Sequence, residues 1–176
     1  MTAFVHIRQA AADDAATLAA LGRRTFEATF GPDNDPADMQ QYLDATFSEA
    51  RLADELADPA STFLLASTAG NGAPLGYAKL RRGTPGPAIA GPRPIELQRI
   101  YVDAPALGTG MGSALMKACM AEAVAQGCAT IWLGVWEYNP QSIAFYERKG
   151  FRRVGEHTFQ LGSSAQTDWV MERSLP

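Results

Sequence analysis

Residues 107–113 read Leu107-Gly108-Thr109-Gly110-Met111-Gly112-Ser113. They lie between a strand-like run ending at Val102 and a helix-like run starting near Met111. Glycine at alternate positions lets a backbone come close to a ligand, and the helix start that follows aims free N–H groups and a positive dipole end at an anion. A phosphate or pyrophosphate fits such a turn. Two familiar phosphate templates do not: a Rossmann fingerprint beginning at Gly108 would need glycine where Ser113 stands, and a P-loop would need a lysine after Gly112. A tight strand-to-helix turn with no ligand is the plain alternative.

Outward from this turn, Glu96 to Val102 reads as a strand. Met111 to Gln126 reads as a helix with Leu115, Met116, Cys119, Met120 and Ala123 on one side, closed by Gly127. Thr130 to Val135 predicts a buried strand, Gln141 to Lys149 a short helix ended by Gly150, and Phe151–Phe159 and Asp168–Arg173 a closing pair of strands. Upstream, Phe4–Arg8 alternates as a strand, and Asp13 or Asp14 caps a helix running towards Thr29 that Gly31 and Pro32 stop. Two short amphipathic helices follow, marked by Met39, Tyr42 and Leu43 and, after the cap Ser48, by Leu52 and Leu56. Thr62–Ser67 and Leu75–Leu80 predict a hairpin around Gly70, Asn71, Gly72 and Pro74. The Gly/Pro-rich stretch from Gly83 to Pro94 is expected to be a flexible excursion. Strands separated by helices favour a mixed α/β sheet with at least one parallel crossover.

The chain has 176 residues, 47% of them hydrophobic and 19% charged, which suits one globular domain over 1–176 with a substantial core. Fifteen Lys plus Arg against nineteen Asp plus Glu give a net charge of -4, which disfavours nucleic-acid binding through a general basic surface. Cys119 and Cys128 are too few for a disulfide framework and read as reduced thiols. No apolar run of membrane-spanning length and no signal-like start is present, so a cytoplasmic protein with no membrane partner is expected.

The strand, Gly108-Thr109-Gly110-Met111-Gly112 and the helix resemble the acetyl-CoA pyrophosphate loop of the GNAT family of N-acetyltransferases. Asn139 and the run Phe145-Tyr146-Glu147-Arg148-Lys149-Gly150-Phe151 resemble that family's next motif. Thr25-Phe26-Glu27-Ala28-Thr29-Phe30-Gly31, Leu97-Gln98-Arg99-Ile100-Tyr101-Val102, Trp132-Leu133-Gly134-Val135-Trp136-Glu137-Tyr138-Asn139 and Gly155-Glu156-His157-Thr158-Phe159-Gln160-Leu161-Gly162 resemble its PaiA-like branch, associated with spermidine and spermine acetylation. The likeness spans nearly the whole chain. It implies the acyl-CoA N-acyltransferase fold, a mixed central sheet flanked by helices with parallel, splayed central strands, and acetyl-CoA as cosubstrate with no metal. Leu107 departs from the pattern, which has Arg or Gln just before the first glycine. That removes a side-chain contact to the pyrophosphate, and weaker cofactor binding is expected.

The resemblance implies further site residues. Ile100, Tyr101 and Val102 would bond the pantetheine arm as another strand would, residues 107–113 would hold the pyrophosphate, and Asn139, Ser142 and Lys149 would line the same ligand. From the residues alone, Asn139 before Pro140 is equally a helix cap, and Ser142 or Lys149 simple surface polarity. Tyr146 is a core aromatic beside Phe145 and Phe151, or a phenol of ordinary pKa about 10 that protonates the departing thiolate; the motif context favours the second. An amine nucleophile must lose a proton, and Glu96, Glu137 and His157 are the candidates to take it; the two carboxylates rank first, each equally able to be solvated or to pair with Arg99 or Arg148. His157 and His6 read as structural histidines, since no ligands at metal spacing accompany them. In the resembling branch the first helix and the loop after it border the acceptor channel, so Phe30, Asp33 and Asp35 are expected to meet the acceptor. The function expected is transfer of acetyl from acetyl-CoA to a primary amine, a polyamine among the candidates, by a monomer or homodimer. Acetylation of a protein or peptide N-terminus and a non-catalytic CoA-binding regulatory module are the alternatives.

Overall fold

The computed structural model describes residues 4–68 and 72–176. In chain order the elements are β1 (His6–Gln9), α1 (Ala15–Phe30), α2 (Pro36–Thr46), α3 (Glu49–Ala57), β2 (Ser61–Ser67), β3 (Gly76–Arg82), β4 (Pro94–Val102), α4 (Met111–Ala125), β5 (Thr130–Trp136), α5 (Pro140–Arg148), β6 (Arg152–Leu161) and β7 (Ser164–Ser174). They form a seven-stranded sheet in the order β1-β2-β3-β4-β5-β7-β6. All neighbours are antiparallel except β4 and β5, which α4 connects as a parallel crossover.

Both faces of the sheet are covered, which is why the central strands read as nearly continuous apolar runs. Leu64 and Ala66 of β2 join Leu80, Ile95, Leu97, Ile131 and Leu133 in a core sealed by Met111, Leu115, Met116 and Cys119 of α4. The alternate residues Phe63 and Leu65 join Tyr77 in a second core under α1, α2 and α3, with Leu18, Phe26, Met39 and Leu52.

Element types agree with the sequence reading, and the differences of most consequence have identifiable reasons. β4 begins at Pro94 rather than Glu96, because a proline is tolerated at the first residue of a strand. The stretch after Gly83 is an exposed excursion for most of its length, but it is tied to the sheet at Gly86 and Ala88. A Cβ on Gly86 would lie 2.8 Å from the Trp132 ring, and one on Gly155 2.8 Å from the Ala88 Cβ. β6 and β7 are longer than expected and turn tightly at Gly162, whose φ of +58° glycine supplies cheaply. The expected hairpin of β2 and β3 forms, with Gly70 and Asn71 outside the described residues.

The pairing of β3 with β4 slips by one residue: Leu80 faces Leu97 but Lys79 faces Arg99, so Gln98 is the extra residue of a bulge. Leu97 and Ile100 therefore both pack on the α4 side, while Tyr101 packs with the α1–α3 core. The bulge also places Arg99 beside Lys79 over α3, where Glu55 receives both. Lys79 Nζ lies 2.9 Å from Glu55 Oε2, and Arg99 donates to the two carboxylate oxygens at 2.7 and 3.2 Å. Phe63 lies 5.5 Å below the Lys79 ammonium and Phe47 5.1 Å from the Arg99 guanidinium, adding cation–π attraction.

Burial alone would push the Glu55 carboxyl up; hydrogen bonds and charge from Arg99 and Lys79 outweigh it and hold the group at about 2. Burial, with the neighbouring Arg99, lowers Lys79, so the acid limb of this cluster belongs to Glu55. Because the folded carboxyl sits below its ordinary 4.5, its contribution is complete above that value and is lost as pH falls towards about 2. Glu55→Gln should lower the unfolding free energy by about 3–5 kcal/mol at pH 7, since it strands two buried cations. Urea unfolding should also show the gap from wild type closing as pH falls from 4.5 towards 2. Equal stability of the two proteins at pH 7 would contradict the assignment.

Candidate active site

The parallel pairing of β4 with β5 is short. It holds Pro94 to Thr130, Ile95 to Ile131 and Glu96 to Trp132, and then stops. Beyond those three pairs the strands part, leaving the facing backbone edges of both without a ladder partner. A cavity of about 510 Å³ opens there, with Leu97–Val102 on one wall and Gly134, Val135 and Trp136 on the other.

The glycine turn lies at one side of the cavity. Gly108 and Gly110 have φ of +75° and +89°, and a Cβ on either would meet nothing within 4 Å, so conformation and not crowding selects glycine there. Gly110 caps α4 with no side-chain hydrogen bond. The Leu107 and Thr109 amides are taken by the Ala104 and Ala106 carbonyls at 3.2 and 3.4 Å, and the first amide of α4 to find an acceptor is that of Ala114, on the Gly110 carbonyl at 3.0 Å. The amides of Met111, Gly112 and Ser113 precede it and lack intrahelical partners, as the first turn of any helix must. That is a donor set for an anion. Leu107, 66% exposed, and Gly112 reach the cavity wall, whereas the Met111 side chain is fully buried in the core.

On the far side of the opening, α5 presents Asn139, Ser142, Phe145 and Tyr146 to the cavity. Asn139 Oδ1 accepts from the Ser142 amide at 3.2 Å, so this residue is a helix cap that also lines the cavity. Tyr146 packs edge-on to Phe145 and Phe151. Burial pushes its phenol well above the ordinary value, so it keeps its proton at any working pH. Lys149 ends α5 with its ammonium over the Phe145 ring, away from the cavity lining.

The remaining wall is aromatic. Phe26, Phe30, Tyr42 and Trp136 line it, with Phe26 and Tyr42 stacked at 4.6 Å and Phe30 edge-on to Trp136 at 6.1 Å. Its charged members are paired or clustered: Glu96 accepts from Arg81 at 2.7 and 3.1 Å, Arg99 is tied to Glu55, and His157 Nε2 lies 3.8 Å from Asp168 Oδ2. Burial, with the charge of Glu137 added, pushes the Asp168 carboxyl up to about 6. Gln98 Oε1 and His157 Nε2 are buried with no hydrogen-bond partner.

Of the residues singled out in the sequence, Phe30, Glu96, Ile100, Tyr101, Val102, Leu107, Gly112, Asn139, Ser142 and Tyr146 line this one cavity. Asp33 is exposed in the turn after α1 and off the cavity wall, and Asp35 caps α2 by accepting from the Ala37 and Asp38 amides. Glu137 lies past the end of β5, with its amide on the Thr167 carbonyl, and reaches the cavity only through its charge on Asp168. The sequence reading did not single out Asp168, and it ranked His157 as structural. The two stand opposite each other across β6 and β7, a register set by the turn between Leu161 and Ser164. Gly162-Ser163 between two alternating runs was the signal for that turn. Among the described residues, no cluster of His, Cys, Asp and Glu could hold a metal ion, and no helix is long and apolar enough to cross a membrane.

Residues 23–151 match the model of the Acetyltransferase (GNAT) family. The chain is 34% identical over 171 residues to an uncharacterized N-acetyltransferase of Lactobacillus delbrueckii subsp. lactis, covering 97% of this chain and 98% of that one. It is 37% identical over 162 residues to an uncharacterized N-acetyltransferase of Mycobacterium tuberculosis, covering 92% and 98%. Among solved structures, it superposes on the PaiA N-acetyltransferase of Thermoplasma acidophilum in complex with coenzyme A, with a TM-score of 0.76 at 19% identity over 97% of this chain and 99% of that one. A GNAT-family acetyltransferase of Staphylococcus aureus gives 0.72 at 16% identity over 98% and 100%. These two likenesses concern the fold.

If the amides of residues 111–113 hold an anionic ligand, a carboxylate planted in the turn should repel it. Gly110→Glu is expected to abolish the rise in melting temperature that coenzyme A gives the wild-type protein, with circular dichroism unchanged. An undiminished rise in a folded variant would place the anion elsewhere.

Proposed function

The chain belongs to the GNAT family of acetyltransferases and is an N-acetyltransferase, and we propose that it moves acetyl from acetyl-CoA directly to a primary amine held against the aromatic wall of the β4–β5 opening. The observation that carries this reading is the parting of β4 from β5 after Glu96 and Trp132, which leaves strand edges free beside the uncapped start of α4. Residues 107–113 would hold the pyrophosphate, and the free edge at Ile100–Val102 would bond the amide-rich arm, with Asn139 and Ser142 beside it. Leu107 contributes apolar contact only. Acetyl-CoA supplies an activated acyl carbon as its thioester.

Tyr146 stands on the cavity wall with its proton retained, the state required of a general acid towards a thiolate. Direct transfer suits the cysteines: Cys119 is fully buried, and burial, helped by Glu122, pushes its thiol up to about 12, a poor acyl carrier. The acceptor wall favours an amine on an apolar body over a polyamine. A polycation needs several free carboxylates, and Glu96 is already tied to Arg81.

A thiol-release assay with acetyl-CoA and a panel of 2-phenylethylamine, spermidine, amino acids and short peptides tests the reading. The arylalkylamine is expected to give the higher kcat/KM; a clear preference for spermidine would restore the polyamine, and one for peptides the N-terminal acceptor. Tyr146→Phe should lower kcat by roughly 10² to 10⁴ with coenzyme A binding near wild type. Unchanged turnover, with chemistry as the slow step, would remove Tyr146 from the reaction.

A further inference from the structure

Neither carboxylate singled out in the sequence stands free in the cavity, because Glu96 is bonded by Arg81 and Glu137 is off the wall. Another pair is free. Asp168 on β7 and His157 on β6 face each other across their strands and both line the cavity. His157 Nε2 is buried without a partner. Among the described residues the Asp168 carboxyl has only this imidazole as an ion-pair partner, at 3.8 Å, which is too long for a hydrogen bond. At that spacing one nitrogen can donate to both at about 2.9 Å.

The space between them and β5 exists because residue 134 is glycine. A Cβ there would lie 2.7 Å from His157 Nε2 and 3.3 Å from Asp168 Oδ2. Gly134 lies on the open edge of β5, beyond its last pair with β4. The gap is thus bounded by the unpartnered His157 Nε2, by the Asp168 carboxylate and by the strand edge where the acyl group would be presented.

We propose that Asp168 takes the proton from the acceptor amine while His157 Nε2 holds a second N–H of the same nitrogen, in the gap kept open by Gly134. This rests on the amine-transfer reading above. Asp168 takes one proton from the bound alkylammonium, and the electron pair so freed on the nitrogen forms the bond to the acyl carbon. As the carbon–sulfur bond breaks, the nitrogen releases a second proton to solvent, and the sulfur leaves with the carbon–sulfur pair and takes the Tyr146 proton. Asp168 then returns its proton through solvent to the tyrosinate.

The charge of Glu137 after β5 adds to the effect of burial on Asp168, and the other titratable groups on the same cavity are His157 on β6, Tyr42 on α2, the Arg81–Glu96 pair and Arg99. With its carboxyl at about 6, Asp168 is ionised and able to accept above that pH and loses the capacity below it. The same upward shift means that its charge costs the folded state stability at neutral pH. A purely structural residue would do the opposite.

The test compares wild type with Asp168→Asn, using 2-phenylethylamine and spermidine as protonated acceptors and methoxyamine as a nitrogen base weak enough to be unprotonated at neutral pH. The variant should lose roughly 10² to 10⁴-fold in kcat/KM with the alkylamines and less than tenfold with methoxyamine. It should also lose the acid limb near 6 and melt no lower than wild type at pH 7.5. His157→Leu should raise KM for the alkylamines more than it lowers kcat, and His157→Gln, which keeps an acceptor, should recover part of that loss. Gly134→Ala should mimic Asp168→Asn with the fold intact. Alkylamine turnover left unchanged in Asp168→Asn, or an equal loss with all three amines, would overturn the assignment while leaving the transfer reading in place. A wild-type protein that acetylates none of the three would overturn both.

Discussion

A strand in the middle of a sheet normally pairs on both edges along its whole length, because an unpaired backbone group away from water costs free energy. β4 does so for only three residues against β5. Its other edge stays paired with β3 to Val102, apart from the bulge at Gln98. The bulge keeps Ile95, Leu97, Ile100 and Val102 packed on α4 while the strand leaves its parallel neighbour. The outcome is a fixed, rigid edge with free backbone groups, which an amide-bearing ligand can complete as a further strand would.

The same bulge explains the charges beneath the opening. Without the extra residue Arg99 would alternate to the apolar α4 side; with it, Arg99 meets Lys79 and Glu55 at the base of the aromatic wall. One carboxylate then answers two buried cations, and Phe47 and Phe63 cover them. Around the cavity the opposite holds. Gln98 Oε1 and His157 Nε2 lack the partners that buried polar groups usually have, and the half-buried Asp168 carboxyl meets the imidazole only at 3.8 Å.

Much of this was legible in the sequence because its determinants are local. Alternate glycines between a strand and a helix gave the turn that opens α4, apolar spacing gave α4 itself, and Phe145–Phe151 gave α5 and its tyrosine. What escaped depends on register between distant residues. The strand pattern of Leu97–Val102 does not disclose that Gln98 is skipped by β3, so Lys79, Arg99 and Glu55 could not be grouped. The closing strands were read as two runs with a gap, and shortening them hid the turn at Gly162 that sets His157 against Asp168. Gly134 shows no excess of glycine around it and only becomes meaningful once two side chains from β6 and β7 are seen to occupy its missing Cβ.

Hydrogen–deuterium exchange of the intact protein, with and without coenzyme A, tests most directly whether the opening between β4 and β5 is the ligand slot. The account predicts new protection at backbone amides of residues 97–102 and 111–113, with the β1–β2 ladder unchanged. Tight binding with exchange at 97–102 and 111–113 left as in the free protein would contradict it.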